Sequence, residues 1–355
     1  CRTPMVISNN DILKVGIIGC GLIGNKRAVV IKEDPSSILC STSDVNVITA
    51  GAVLQQYGRH SGQAYGDWQV MLSKEVLDAV VVATPNKYLQ EIALGALERG
   101  IHVLCEKPLG RNPWESERMV KVAREHGVIL KTGFNHRHHQ AIWKAHELVA
   151  NGAIGPIYFI RCVYGHGGRP GYEKEWRASK DICGGGELLD QGVHVVDLFR
   201  WFLGEFEEAF GYIPTFYWPM EVEDNAFALF KTSEGKVASM HTSWTQWKNR
   251  FAFEIFGEAG YLIVEGLGGS YGTEKLTIGK RPRIPDNSCS SDEENPPRPP
   301  LERGGKKNQY LGGVPEEETL VFDGPDVSWD LEWKEFVQAI QESREPLGSG
   351  RDGLE

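Results

Sequence analysis

The segment Lys14 to Gly24, KVGIIGCGLIG, restricts what this chain can fold into more than any other stretch. An apolar run closes on Gly19, Gly21 and Gly24 follow at G-x-G-x-x-G spacing, and the residues from Leu22 read as helix until Pro35. Strand, tight turn and helix in that order open a doubly wound sheet. The first glycine permits the turn, the second lets backbone approach a pyrophosphate, and the third lets helix pack on strand. The helix start then presents free N–H groups and a positive dipole end to the phosphates. A glycine-rich turn that holds no ligand is the plain alternative.

The alternation continues beyond the turn. Ser37 to Asp44 reads as strand, Val47 to Tyr57 as helix, and Asp78 to Ala83 (DAVVVA) as a strand buried on both faces. Tyr88 to Arg99 reads as helix, Ile101 to Cys105 as strand, Trp114 to His126 as helix and Val128 to Thr132 as strand. Parallel neighbours need crossover helices, so this order implies an α/β Rossmann-type doubly wound parallel sheet over residues 11–133. After Phe134 the pattern changes. A helix from Gln140 to Asn151 precedes strands at Ile157 to Tyr164, Asn225 to Lys231, Val237 to Trp244, Phe251 to Gly257 and Tyr261 to Glu265. Many of these follow one another without helices, which predicts a C-terminal α+β domain over 134–355 with a mostly antiparallel open sheet. Helices are expected at Glu187 to Phe202, packed on that sheet, and at Trp329 to Glu342. Residues 281–304, rich in Pro, Ser and acidic side chains, are expected to form a mobile loop.

Composition narrows the partners. With 355 residues, 41% hydrophobic and 24% charged, the chain can bury two cores. A net charge of -10 repels polyanions and argues against nucleic acid or an anionic membrane. The seven cysteines are scattered without a CxxC pair, as expected of reduced thiols in a cytoplasmic protein. No apolar run approaches a membrane span, and Cys1 to Asp11 lacks a signal pattern.

Three stretches carry chemistry. Asp44 lies 20 residues beyond Gly24 at a strand end, where a carboxylate accepts bonds from ribose hydroxyls and repels a 2′-phosphate; NAD is favoured over NADP. A helix-capping role for Asp44 is the simpler alternative. Lys107, in Glu106-Lys107-Pro108, follows a strand at the end where open α/β sheets place ligands, and could relay a proton or donate to a substrate oxygen. On the tripeptide alone, a surface lysine before a proline turn is the better reading. Further on, Gly184 to His194 (GGGELLDQGVH) sets Asp190 and His194 four positions apart on one helical face. A histidine suits proton removal from an alcohol, and a carboxylate one turn away can orient it, although such pairs also occur as plain surface pairs. His136, His138 and His139 raise the question of a metal. On a strand only His136 and His138 would share a face, and the HExxH spacing is missing, so no metal is expected.

Taken in order, VGIIGCGLIG (Val15 to Gly24), VATPN (Val82 to Asn86), GIHVLCEKPL (Gly100 to Leu109), GFNHRHH (Gly133 to His139), GAIGPI (Gly152 to Ile157) and GGGELLDQGVHVVDL (Gly184 to Leu198) resemble the Gfo/Idh/MocA oxidoreductases over residues 13 to 350. That group includes glucose-fructose oxidoreductase and inositol dehydrogenases. The resemblance implies a hydride transfer between C4 of nicotinamide and a secondary alcohol carbon of a sugar, cyclitol or sugar derivative. It implies a catalytic group of Lys107, Asp190 and His194, with His194 as base, Lys107 on the oxygen and Asp190 orienting the constellation. It places cofactor contacts at Gly19, Gly21, Leu22, Ile23, Gly24, Asp44, Thr84, Pro85, Asn86, Glu106 and Lys107. Arg137, His138, Trp176 and Arg177 become the candidates for substrate contact, and a cis Lys107-Pro108 bond is expected. Family members pair through the second sheet, which implies a homodimer or homotetramer. Two departures are visible: Leu89 stands where many relatives carry histidine, and the 281–304 loop is long. Two rival functions share the same residues, an NAD-dependent glycoside hydrolase that oxidises its substrate transiently and a catalytically inactive cofactor-binding regulator.

Overall fold

The computed structural model describes residues 12–59, 61–282 and 315–355. The expected loop therefore lies outside the described residues from position 283 to 304. In chain order the first half runs β1 (Leu13–Ile18), α1 (Leu22–Glu33), β2 (Ser37–Ser43), α2 (Val47–Tyr57), β3 (Gln63–Tyr65), α3 (Trp68–Lys74), β4 (Ala79–Val82), α4 (Asn86–Leu97), β5 (His102–Cys105), α5 (Pro113–His126) and β6 (Leu130–Thr132). Its six strands pair in the order β3-β2-β1-β4-β5-β6, and every pair is parallel. In β4, Ala79 and Val81 face one apolar core while Val80 and Val82 face the other. Alternation therefore feeds both layers of helices, and the strand reads as one apolar run. Helix ends follow local chemistry. Asn112 accepts from Glu115 N at 3.0 Å, Pro113 occupies the first turn of α5, and Gly127 ends it at φ 64°.

The second half runs α6 (Gln140–Ala150), β7 (Ile157–Gly165), α7 (Lys180–Cys183), α8 (Val193–Leu203), β8 (Glu208–Tyr212), β9 (Asn225–Lys231), β10 (Val237–Ser243), β11 (Arg250–Gly257), β12 (Gly260–Glu265), β13 (Glu274–Lys280), β14 (Glu316–Phe322), α9 (Ser328–Glu342) and α10 (Gly350–Leu354). Among the described residues its eight strands pair in the order β14-β13-β12-β11-β7-β10-β9-β8. The β7–β10 pair is parallel and the other six are antiparallel, so the α/β plus α+β expectation holds. One face of this sheet buries Ile160, Cys162, Phe253 and Leu262 against Ala141 of α6 and Leu198 and Phe199 of α8. The other face leaves Phe159, Phe210, Tyr212 and Leu229 exposed.

Chain order assigns α9 to the second half, yet it packs on the first sheet. Trp333, Phe336, Val337 and Ile340 join the core formed by Val15, Ile17 and Val81. The Trp333 indole N–H donates to Asp34 at 3.0 Å and to Ser37 Oγ at 3.1 Å. A buried indole needs such a partner, and here it fixes the helix in register.

Candidate active site

The glycine turn is built as the spacing requires. Gly19 adopts φ +93°, and a Cβ there would meet the Ala83 carbonyl at 2.6 Å; a Cβ on Gly24 would lie 1.9 Å from Gly19 O. Gly21 caps α1 without any side-chain bond, which leaves the helix start open to an anion. The Asp44 carboxylate accepts from Cys20 N at 2.8 Å and from Asn46 N at 2.9 Å. It thereby ties the end of β2 to the turn.

From this turn a cavity of about 1250 Å³ extends to the second sheet. Gly19, Gly21, Leu22, Ile23, Asp44, Thr84, Pro85, Asn86, Glu106 and Lys107 all line it, and Gly24 sits beneath the turn. Asp190, His194, Trp176 and Arg177 line the same space from the other half of the chain. Two expected substrate contacts do not. Arg137 is buried and donates to both oxygens of Asp197, at 2.8 and 2.5 Å, with Asp352 at 3.2 Å. His138 is buried with its ring stacked on Trp143 at 6.0 Å. Both are held by partners within the second half, and neither lines the cavity. Their orientation follows from the local backbone: residues 135–138 form a 3-10 turn, not the strand assumed for the HRHH segment. A three-residue repeat brings His136 and His139 to the cavity instead, with ring centroids 5.5 Å apart. Read with that period, the sequence N-H-R-H-H would have shown it.

At the far end of the cavity the Lys107 ammonium donates to Asp190 Oδ1 at 2.8 Å and to the Asp190 backbone carbonyl. The Lys107–Pro108 peptide is cis. Arg177 approaches the other Asp190 oxygen at 3.5 Å while lying over the Trp176 ring at 4.4 Å. Burial pushes the Asp190 carboxyl up, but Lys107 and Arg177 outweigh it and bring the group down to about 2. Asp190 is therefore an anion committed to the two cations. Among the described residues Asp190 and His194 make no hydrogen bond to each other, because residues 188–192 wind as a π turn before α8 rather than as one continuous α-helix. His194 is held well below the ordinary histidine value, first by burial and then by Lys107 and His139. Among the described residues its Nδ1 is buried without a partner, leaving Nε2 as the nitrogen available to a ligand.

Glu187, near Asp190, is fully buried, and among the described residues neither carboxyl oxygen has a hydrogen-bond partner. Burial first, and then the Asp190 charge, raise it well above 4.5, which favours its protonated form in the folded state. A raised folded value gives stability that is complete below the unfolded value and is lost as pH rises through the folded one. Glu187→Gln, a neutral isostere, is therefore expected to be more stable than the parent by a margin that is small near pH 5 and grows toward pH 8. Urea midpoints at the two pH values check this; an equal margin at both would show that no proton is held there.

Comparison with known proteins accords with this geometry. Residues 13–134 match the family model described as the oxidoreductase family, NAD-binding Rossmann fold, and residues 142–263 match the GFO/IDH/MocA C-terminal domain. Levoglucosan dehydrogenase of Pseudarthrobacter phenanthrenivorans is 26% identical over 71% of this chain and 73% of its own. The 1,5-anhydro-D-fructose reductase of Ensifer adhaerens is 34% identical over 70% of this chain and 74% of its own. The solved complex of levoglucosan dehydrogenase with NADH and levoglucosan shares the fold with a TM-score of 0.80 at 23% identity, covering 97% of this chain and 94% of that one. Glycine turn, EKP lysine and glycine-led histidine helix thus occur together on a matching architecture, and the chain belongs to the Gfo/Idh/MocA oxidoreductase family.

Proposed function

We propose that the protein is an NAD-dependent dehydrogenase that acts on a secondary alcohol of a sugar, cyclitol or sugar derivative. The observation that carries this reading is that Lys107, from the end of β5, and His194, from α8, line one cavity with the glycine turn. The residues present suit the cofactor: the turn excludes any Cβ at Gly19 and Gly24, the α1 start is uncapped, and Asp44 faces the cavity as a carboxylate. Bound nicotinamide supplies a hydride acceptor or donor. His194, neutral in its buried setting, takes the hydroxyl proton at Nε2 as the C–H bond breaks. Lys107, anchored by Asp190, donates a hydrogen bond to the substrate oxygen. Arg177 and Trp176 offer a charged and an aromatic surface to the sugar. NAD is favoured over NADP because the Asp44 carboxylate repels a 2′-phosphate.

The same reading extends to organisation. Residues 11–133 serve the cofactor and 134–355 the substrate, with α9 returning to brace the first sheet. The exposed face bearing Phe159, Phe210, Tyr212 and Leu229 suits a homodimer or homotetramer. Among the described residues no helix is long and apolar enough to cross a membrane. The five cysteines among the described residues are free and buried, which suits a cytoplasmic setting. The test is a panel of free sugars, cyclitols, anhydrosugars and nucleotide sugars scanned at 340 nm with NAD and with NADP. Stoichiometric NADH with at least one class is expected, faster than NADPH. Bond cleavage of a glycoside without net NADH would replace the dehydrogenase by the transient-oxidation reading, and NAD binding without turnover on any class would remove the enzyme.

A further inference from the structure

A base that works through Nε2 needs its ring held from some other side, and the usual holder is a carboxylate on Nδ1. His194 has none: its Nδ1 is buried and unpartnered. Of the neighbouring carboxylates, Asp190 is engaged by Lys107 and Arg177, Asp197 by Arg137, and Glu187, though buried nearby, makes no hydrogen bond to the ring. The ring contacts that remain are the edge of Phe134 at 6.0 Å and the face of His136, whose centroid is 3.7 Å away at an interplanar angle of 21°. We propose that His136 is the positioning residue of the reacting imidazole, setting the plane of His194 by face-to-face stacking in place of a carboxylate.

His136 is built to hold still. Its Nδ1 meets Asn135 Oδ1 at 3.2 Å and its Nε2 meets the Tyr164 hydroxyl at 3.2 Å. An amide oxygen only accepts, so Nδ1 carries the hydrogen and Nε2 accepts from the Tyr164 O–H; one neutral tautomer satisfies both. The Asn135 amide is oriented in turn by donating to Ser328 Oγ at 3.0 Å, at the start of α9. Three segments distant in sequence thus fix the plane against which His194 lies: the 3-10 turn after β6, strand β7 and helix α9. Burial first, and then the nearby His194, hold His136 well below the ordinary histidine value, so the stacked partner is uncharged and does not compete for the proton. His139, in edge contact with His136, is pinned by Glu274 at 2.7 Å and closes the other side of the ring.

The proposal rests on His194 being the base, and the experiment separates the two. His136→Phe keeps a flat ring of similar size, whereas His136→Leu fills the space without one. The leucine variant is expected to lose about 10- to 100-fold in kcat with the KM for NAD unchanged, since displacing a reacting group by an ångström costs rate on that scale. The phenylalanine variant recovers most of that rate. In a His194→Ala background, His136→Leu has no further effect, because residues acting as one unit are not additive. Equal losses for Phe and Leu, or a Leu loss of the same size in both backgrounds, would overturn the stacking role and leave the base intact. An active His194→Ala would instead overturn the base.

Discussion

Replacing either His194 or Lys107 by alanine lowers kcat by at least about 100-fold, the ordinary worth of a positioned acid or base, and in the His194 variant NAD affinity stays near that of the parent. The two losses have different origins. His194→Ala removes the proton acceptor from a buried wall of the cavity and leaves the glycine turn, Asp44 and Thr84 untouched. Lys107→Ala removes the donor to the substrate oxygen and also leaves the Asp190 carboxylate with Arg177 as its remaining cation. The lysine variant is therefore expected to raise the substrate KM as well, because the hydrogen bond to the substrate hydroxyl is also lost in the ground state. Steady-state rates on a turned-over substrate, with NAD binding followed by fluorescence, check both. Unchanged kcat in either variant would remove that residue from the chemistry.

The largest loss of stability is expected at Arg27, deep beneath the turn. Its side chain is fully buried, with Nε donating to Glu106 at 2.7 Å and Nη1 to Glu332 at 2.6 Å. Arg27→Met strands two carboxylates in the interior, and removal of one partner from such a buried cluster costs about 3–5 kcal/mol. Glu332 already feels that pressure: burial raises its carboxyl, and Arg27 is the first group that opposes the shift. Adding Glu332→Gln to Arg27→Met should recover part of the loss, since one of the two stranded charges is gone. Urea denaturation reads the effect, and a loss below about 1 kcal/mol would place the cluster among marginal surface pairs. Because Glu106 immediately precedes Lys107, the variant is expected to lose turnover as well.

Much of this architecture is legible in the residues, and its illegible parts have physical causes. Strand β4 and helix α2 are read with little or no error because a doubly buried apolar run and an Asn-capped amphipathic segment carry their signals locally. Strand β3 and helix α3 are missed: three residues cannot display a period, and the α3 cap at Asp67 resembles a turn. Strand β14 is missed because its exposed, acidic EEETLVF pattern is that of a sheet edge, where charge replaces the apolar alternation. In the site, Lys107, Asp190 and His194 are found from motif and order, and the structure brings them to one cavity. Arg137 is misread because its partners, Asp197 and Asp352, lie far along the chain and nothing near Arg137 announces them. His136 and His139 are overlooked because a strand was assumed where the chain makes a tighter turn.

The path of α9 has a practical consequence for anyone dissecting the protein. A fragment cut after Gly133 forfeits Trp333, Phe336 and Ile340, along with the Glu332 counter-charge to Arg27, and bares the trough they fill beside Val15 and Val81. A minimal nucleotide-binding piece must graft the segment from Ser328 onward back onto the first sheet, so its natural cutting pattern is discontinuous.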